Sequence, residues 1–228
     1  MSSVVVELSG IKKSFGPVDV LKGIDFKAYA GQVTALVGDN GAGKSTLIKG
    51  LSGVQPYDEG TVKFANEVVH IGSPLQAAEY GIEVVYQDLA LCENLDIVQN
   101  MFLGHESLMT GTLNEPDMEL QATKALQSLS VKTVKSVRQK VSSLSGGQQA
   151  RFQVLLLELA GDTLLLLDEP TDNLDLASAE SLENALNQYE GTVLTVTHDR
   201  WFCRGFTRFL IFGANGRVYE ANEPVFDH

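Results

Sequence analysis

The chain has 228 residues, of which 44% are hydrophobic, and a net charge of −12. This length and balance are typical of a folded globular protein that needs neither disulfides nor metals to complete its core, and they exclude a disordered chain. The acidic excess argues against direct nucleic-acid binding, which favours a basic surface. No apolar run is long enough for a membrane span, and the first residues lack the basic region of a signal peptide. We therefore expect a cytoplasmic protein.

The first half of the chain contains three segments rich in β-branched and apolar residues, which favour strands over residues 4–8, 31–37 and 83–86. Before the third strand, Ser73 and Pro74 predict the N-cap and first turn of a short helix that Gly81 ends. Residues 88–143 are expected to be mainly helical, because apolar residues recur there at helical spacing: Met118, Ala122, Ala125, Leu126 and Leu129.

The second half continues the alternation of helices and strands. A long helix is expected after Gly147, running to about Ala160. Strands follow over residues 164–167 and 192–197, and a terminal hairpin is expected from segments 209–212 and 217–219. The helix between those two strands has one apolar stripe: Leu176, Ala179, Leu182, Ala185, Leu186 and Tyr189. Buried strands that alternate with helices predict an α/β fold with a mainly parallel sheet.

Residues 38–46 read Gly-Asp-Asn-Gly-Ala-Gly-Lys-Ser-Thr and fit the pattern G-x-x-x-x-G-K-[ST] between a predicted strand and a helical pattern. Glycines let the backbone aim its N–H groups at phosphate oxygens, and the helix N-terminus adds a positive dipole end. Lys44 would reach the β- and γ-phosphates, and the Ser45 hydroxyl would bind Mg²⁺. The alternative is a glycine-rich turn without chemical consequence. The candidate phosphate-binding residues are Gly38, Asn40, Gly41, Ala42, Gly43, Lys44, Ser45 and Thr46.

Two carboxylates, Asp168 and Glu169, follow the apolar strand 164–167. Successive side chains of a strand point to opposite sides, so Asp168 is placed to hold Mg²⁺. Glu169 is then free to orient or deprotonate an attacking water. Carboxylates commonly end strands, so the pair alone does not indicate a catalytic site. It does so here because the same chain contains a phosphate-binding loop.

Residues 144–148 read Leu-Ser-Gly-Gly-Gln just before the predicted long helix, where a serine is usually an N-cap. Together with the glycine-rich loop and the sequence LLLLDEPT, this segment resembles the signature of the ATP-binding-cassette ATPases. The resemblance covers nearly the whole chain. It implies a P-loop NTPase fold with a mainly parallel sheet, an antiparallel β edge and a helical subdomain. One domain over residues 1–228 would then contain a nucleotide-binding core (1–87 and 144–228) and a helical subdomain (88–143).

The family resemblance assigns roles to four further residues. Gln87 is similar to the glutamine that touches Mg²⁺ or the lytic water, and His198 to the histidine that contacts the γ-phosphate. Asp175 resembles the D-loop aspartate, although a helix N-cap is an alternative. Phe15 resembles the aromatic residue that stacks on adenine, and an edge-strand core residue is its alternative. The implied ligands are ATP and Mg²⁺, with Ser45, Gln87 and Asp168 at the metal.

The family resemblance also implies a homodimer that closes on ATP. The signature of one copy would contact the γ-phosphate that Lys44 of the second copy holds. The residues expected to reach across are Ser145, Gly146, Gly147, Gln148 and Asp175. In transporters of this family the helical subdomain docks on a membrane permease, so a permease is an expected partner.

The two ends of the chain resemble different branches of the family. Residues 1 to about 140 are similar to the ATPases of monosaccharide importers. Residues from about 145 onward, with THDRWF, resemble the F-class cassettes that act on ribosomes. No lysine follows Lys140, which supports a seam near residues 140–150 between segments of different origin, although chance is an alternative. The importer motor is favoured, with a hybrid cassette next. A ribosome factor ranks last, because the chain has one cassette and a net charge of −12.

Overall fold

A computed structural model of the chain describes residues 3–85, 91–92, 94–103, 106–109, 112–128, 136–145, 148–149, 152, 155–156, 163–172, 174, 176–189, 191–213 and 218–224. The chain forms two compact units. Unit 1 comprises Met1–Asp88, Gly161–Asn173 and Tyr189–His228, and unit 2 comprises Leu89–Ala160 and Leu174–Gln188. None of the helices in the described part of the chain is both long and apolar enough to cross a bilayer.

The predicted strands that fall within the described residues appear in the expected order, and further strands lie between them. The strands are β1 (Val4–Phe15), β2 (Val18–Tyr29), β3 (Val33–Gly38), β4 (Glu59–Phe64), β5 (Glu67–Val69), β6 (Ile82–Val85), β7 (Leu108–Met109), β8 (Thr112–Leu113), β9 (Leu164–Asp168), β10 (Thr192–Val196), β11 (Arg208–Phe212) and β12 (Val218–Ala221). The helices are α1 (Lys44–Leu51), α2 (Pro74–Glu79), α3 (Ile97–Met101), α4 (Glu115–Ser128) and α5 (Leu176–Gln188), with 3₁₀ turns over Val141–Ser143 and Phe202–Gly205.

The main sheet of unit 1 has the order β12-β11-β3-β10-β9-β6 among the described residues. All of its neighbours are parallel except the edge pair β11 and β12. The strands β3, β9, β10 and β11 are buried apolar runs, as expected for a parallel sheet covered on both faces. Their carboxyl ends lie at one edge, because Val196 of β10 is in register with Leu36 of β3 and Asp168 of β9. The predicted mainly parallel sheet is confirmed.

A second, antiparallel sheet has the order β2-β1-β4-β5. Its strand β1 runs to Phe15, well beyond the predicted end at residue 8, with a change of register near Gly10. Strands β2, β4 and β5 are not predictable from the apolar pattern, because polar and charged residues interrupt it. These strands form the expected antiparallel β region. One buried cluster joins this sheet, the main sheet and α1, with Phe26, Leu47 and Leu166 among its members.

Unit 2 contains two small helix-packing clusters. The expected stripe of α4 is buried at Met118, Ala122, Ala125 and Leu126, whereas Leu129 lies outside the described residues. Helix α3 begins with a capping box in which Asp96 accepts from the Gln99 backbone N–H and Gln99 accepts from that of Asp96. The chain from Val137 to Leu144 contributes further apolar side chains to these clusters.

Two of the expected helical segments differ in detail from the prediction. Residues 88–143 contain α3 and α4, and they also contain a short antiparallel ribbon, β7 and β8, that was not predicted. In α5, Ala179, Leu182 and Leu186 are buried as expected, but Leu176 is 66% exposed at the start of the helix. Most of the long helix expected before residue 160 lies outside the described residues. The short helix α2 is confirmed, with Ser73 accepting from the Gln76 backbone N–H and Pro74 in its first turn.

Candidate functional site

The glycine-rich loop connects β3 to α1 in unit 1 and requires glycine at two contact points. Gly38 has a φ of 143°, and a Cβ there would lie 2.3 Å from the carbonyl oxygen of Phe212 on β11. Gly43 has a φ of 103°, and a Cβ there would lie 2.8 Å from the side chain of Leu21 on β2. Neighbouring strands therefore pack directly against the loop, and this leaves no room for a larger residue.

The helix that follows the loop is open to an anion at its start. No side chain caps α1 at Gly43, and its first turn contains no acidic residue. Lys44, only 5% exposed, donates from Nζ to the carbonyl oxygens of Gly38 and Asp39 at 2.7 and 2.8 Å. Burial lowers the pKa of Lys44, and the charges of Glu169, Asp39 and Asp168 oppose that effect. The ammonium group thus lies inside the loop, close to backbone amides suited to phosphate oxygens.

A hydrogen bond links the loop to the end of β9. The Ser45 hydroxyl donates to Oδ1 of Asp168 at 2.8 Å, although the two residues are 123 positions apart. The parallel register brings them together, because β3 and β9 lie on either side of β10 and end at the same edge. A hydroxyl and a carboxylate at this spacing are hard oxygen ligands of the kind Mg²⁺ prefers. These two side chains fit the expected metal.

The residue after Asp168 turns sharply away from the strand. Glu169 has a φ of 49°, which is uncommon for a residue with a side chain, and its backbone N–H donates to the Val196 carbonyl oxygen at 2.9 Å. This turn directs its carboxylate to the end of β10. There Oε2 accepts from the backbone N–H of His198 at 3.2 Å and lies 3.0 Å from Nδ1 of the same residue.

His198 therefore holds a carboxylate at the carboxyl edge of the main sheet. Its other ring nitrogen, Nε2, lies 3.8 Å from Oδ1 of Asp172. The side chain of His198 is 64% exposed, whereas that of Glu169 is 17% exposed. A mostly covered carboxylate with an exposed imidazole partner is suited to fix and deprotonate a water molecule next to a bound phosphate.

Two aspartates beside this pair were not assigned by the sequence analysis. Asp172 lies near His198, and Asp199 orders the turn that follows it. Oδ1 of Asp199 accepts from the backbone N–H groups of Trp201 and Phe202 at 2.8 and 3.2 Å. The signal available in the sequence was an aspartate shortly after a predicted strand, because aspartate favours an Asx turn with the backbone two residues on.

The candidate base-binding residue, Phe15, lies at the end of β1 next to the turn into β2. It is 44% exposed, so it presents its ring to solvent rather than to the core. Nζ of Lys13 lies 5.7 Å from the centre of that ring. An exposed ring on a rigid strand end is suited to stack on a base.

The signature serine lies in unit 2 and begins a helical turn. Its backbone N–H donates to Oε1 of Gln148 at 2.8 Å, and the Gln148 backbone N–H donates to Ser145 Oγ at 3.4 Å. This reciprocal pair is a capping box, so the N-cap interpretation of Ser145 is confirmed. The candidate residues Gln87, Gly146, Gly147 and Asp175 lie outside the described residues.

The arrangement of strand, glycine loop, helix and acidic strand end defines the fold of a P-loop nucleoside triphosphatase. Comparison with known families then identifies the branch. The chain belongs to the ABC transporter family, whose model matches residues 21–172. It is an ATP-binding ATPase domain of that family.

Two relatives match this chain over different lengths and at different sequence identity. The xylose/arabinose import ATP-binding protein of Sulfolobus acidocaldarius is 40% identical over 200 residues, covering 86% of this chain and 79% of that protein. An antibiotic resistance protein of Mycobacteroides abscessus is 72% identical over 89 residues, covering 39% of this chain but only 16% of that protein. This chain therefore spans a small part of the mycobacterial relative.

The fold agrees with that of solved cassettes. An ATP-binding cassette of an ABC transporter, crystallised in its ADP conformation, matches with a TM-score of 0.79. The match covers 96% of this chain and 91% of that chain at 23% sequence identity. At this identity the likeness establishes the fold.

Proposed function

We propose that this domain hydrolyses ATP with Glu169 as the general base and Lys44 as the γ-phosphate ligand. The proposal is carried by one observation. The ends of β3, β9 and β10 bring a buried lysine, a Ser–Asp pair and a Glu–His pair to the same edge of the main sheet. A buried cation can neutralise phosphate charge, and a fixed carboxylate can accept the proton of the attacking water.

The remaining candidate residues have supporting roles in this proposal. The backbone of residues 38–46 cradles the phosphates, and Phe15 stacks on the base. Ser45 and Asp168, with Gln87, would hold Mg²⁺, which supplies charge neutralisation at the phosphates when bound. His198 orients the carboxylate of Glu169 through its backbone N–H and its Nδ1 atom.

Two variants test the assignment of Glu169 and Lys44. Glu169→Gln should bind ATP and release phosphate at least a hundredfold more slowly, because the amide cannot accept the proton. Lys44→Ala should lose both binding and turnover. Glu79→Gln, which changes an exposed carboxylate at the end of α2, is the control and should match the wild type. Wild-type rates in both site variants would refute the proposal.

The proposed cycle includes a homodimer with two shared sites. Its support is the presence in one chain of the phosphate loop and of the signature, where Ser145 and Gln148 form a capping box. In the dimer, Ser145, Gly146, Gly147, Gln148 and Asp175 would contact the ATP bound by the second copy. Light scattering of Glu169→Gln should give one chain without Mg-ATP and two chains with it. A mass of one chain with ATP bound would contradict the dimer.

We further propose that the domain is the motor of a sugar importer at the inner face of the membrane. The support is the name and coverage of the Sulfolobus relative, together with the importer-like sequence before residue 140. The partner would be a membrane permease that contacts residues 88–143. Co-purification with the permease and sugar uptake that requires Lys44 would test this role. Uptake unaffected by Lys44→Ala would exclude it.

The second candidate is a cassette of mixed origin without a native permease. It is favoured by the uneven similarity to relatives, since 72% identity over 89 residues contrasts with 40% identity over 200 residues. Such a cassette would bind and hydrolyse ATP without coupling to transport. ATP turnover that persists in the absence of any co-purifying permease or ribosome would favour it over the importer and the F-class alternatives.

A further inference from the structure

The segment between α1 and β4 contacts the phosphate-loop helix through Tyr57. The Tyr57 hydroxyl donates to the Leu47 carbonyl oxygen of α1 at 2.6 Å. Its ring lies against the backbone of Gly50, where an added Cβ would lie 1.9 Å from Cε1 of the ring. Tyr57 therefore packs on the helix that begins at Lys44, with its hydroxyl buried on the backbone.

The next residue, Asp58, binds the end of β1 at three points. Its backbone N–H donates to the Lys12 carbonyl oxygen at 2.9 Å. Its carboxylate accepts from Nζ of Lys13 at 2.7 Å through Oδ1 and from the backbone N–H of Ser14 at 2.8 Å through Oδ2. Lys13 Nζ also donates to the Pro56 carbonyl oxygen at 2.8 Å. The segment thus fixes the backbone directly before Phe15.

Two consecutive residues therefore join two parts of the site that would contact opposite ends of a nucleotide. Tyr57 contacts the phosphate-binding helix, and Asp58 contacts the strand end that carries the exposed ring of Phe15. All of these residues belong to unit 1. The distance from base to phosphate in a nucleotide is nearly fixed, so holding these two surfaces in place before binding improves affinity.

We propose that Tyr57 and Asp58 are positioning residues, forming a clip that sets the spacing between the phosphate loop and the Phe15 ring. The inference rests on the proposed role of Phe15 in base binding. The clip acts through Phe15 and does not itself touch the nucleotide. It consequently matters for ligands that have both a base and phosphates, and not for phosphates alone.

The test compares the affinity for Mg-ADP with that for magnesium pyrophosphate, which contains the phosphates without the base. Asp58→Ala should raise the Kd of ADP about tenfold and change the Kd of pyrophosphate by less than twofold. Phe15→Ala should weaken ADP binding to a similar extent, as expected for loss of one stacked base. The double variant should bind ADP no more than twofold more weakly than Phe15→Ala, because both changes remove the same interaction.

Two further variants separate positioning from general stability. Glu59→Ala removes an exposed ion pair with Lys12 at 2.6 Å, immediately after Asp58, and should leave both Kd values unchanged. Tyr57→Phe keeps the ring and removes only the bond to Leu47, so it should raise the Kd of ADP a few-fold in a protein that still folds. Its pyrophosphate affinity should match that of the wild type.

Three results would overturn the clip: an unchanged ADP affinity in Asp58→Ala and Tyr57→Phe, a parallel loss of ADP and pyrophosphate, or independent effects of Asp58→Ala and Phe15→Ala. A wild-type protein that binds neither ligand would instead refute the proposed function, and the clip with it. If the wild type binds ADP and pyrophosphate, and Asp58→Ala and Tyr57→Phe bind both ligands with wild-type affinity, the clip alone is refuted.

Discussion

Oε2 of Glu169 and Nδ1 of His198 lie 3.0 Å apart, although the two residues are 29 positions apart in the chain. The same oxygen accepts the backbone N–H of His198, so two contacts from one residue hold one carboxylate oxygen. The backbone contact does not depend on the imidazole. The side chain of His198 therefore adds orientation to a carboxylate that is already anchored.

From this geometry we expect His198→Ala to reduce kcat less than Glu169→Gln does. The alanine variant retains the base and its backbone anchor, and should lose about tenfold to a hundredfold in kcat, with a similar KM. Single-turnover measurements with both variants would check this order. A His198→Ala variant that is slower than Glu169→Gln would show that the imidazole has a chemical role of its own.

The bond between Ser45 and Asp168 leads to a prediction about metal dependence. Ser45→Ala should weaken nucleotide binding in the presence of Mg²⁺ and leave metal-free ADP binding within twofold of the wild type. The reason is that the hydroxyl would bind the ion, whereas the loop backbone binds the phosphates. Calorimetric titration with Mg²⁺ and with EDTA would measure both values. Ser9→Ala, an exposed serine on β1, is the control. Equal losses with and without metal would contradict the role of Ser45.

Arg138 joins three carboxylates in unit 2: Asp96 at 3.3 Å, Glu115 at 2.8 Å and Glu119. These contacts hold the chain before the signature against the start of α3 and against α4. Arg138→Gln should lower the free energy of unfolding by about 1 kcal/mol, since the guanidinium is partly exposed and three acidic groups lose their cation. Chemical denaturation at low salt would measure it. Lys124→Gln, an exposed change on α4, should have little effect. An equal loss in both variants would contradict a specific role for Arg138.

Gly50 leaves space for the Tyr57 ring, and this makes a small substitution costly. Gly50→Ala should destabilise the protein by roughly 1–3 kcal/mol, because the ring must move to admit the new methyl group. The intrinsic preference of alanine for helices offsets only part of this. Thermal unfolding would show the loss. In the matched variant, Gly72→Ala, the nearest atom to the new Cβ lies at 3.4 Å, so little change is expected there. Similar melting temperatures for the two variants would refute the packing argument.

The clip also predicts a dependence of stability on pH. Bonds from Lys13 and from the backbone N–H of Ser14 lower the pKa of Asp58 below its ordinary value. A carboxyl group with a lower pKa in the folded state stabilises the fold above its unfolded pKa, and this contribution disappears as pH falls through the folded value. Asp58→Asn should therefore lower the melting temperature at pH 7, and the difference from the wild type should shrink below about pH 4. A difference that is constant from pH 7 to pH 3 would contradict this.

The sequence predicted the buried strands of the main sheet, and the polar residues at their carboxyl ends, for a physical reason. Strands β3, β9 and β10 are buried on both faces, so their apolar runs are clear. Gly38, Asp168 and His198 lie at the ends of these runs or just after them. In the antiparallel sheet, the sequence pattern located only the first part of β1, and it did not locate β2, β4 or β5. The strands of this sheet are partly exposed and carry alternating charges, such as Lys12 and Glu59, that obscure the period of two residues.

The contacts within the site could not be predicted from the sequence either. Nothing in the spacing indicated that Glu169 would adopt a positive φ, or that Tyr57 would return to the helix that begins at Lys44. Both depend on how the strands are ordered across the sheets rather than on local pattern. The order β3-β10-β9 places His198 beside Glu169, and this order appears only when the sheet is assembled.

The strand order also has a consequence for any exchange of segments between related chains. On one side of residue 140 lies β3, which carries the phosphate loop, and on the other lie β10 and β11, which pair with it along both of its edges. Likewise β6, from the front, pairs with β9, from the back. Strands from the two parts of the chain therefore alternate within one sheet. A cut near residue 140 would separate β3 from both of these partners. A recombined cassette of this kind can fold only where the strands of one parent accept those of the other.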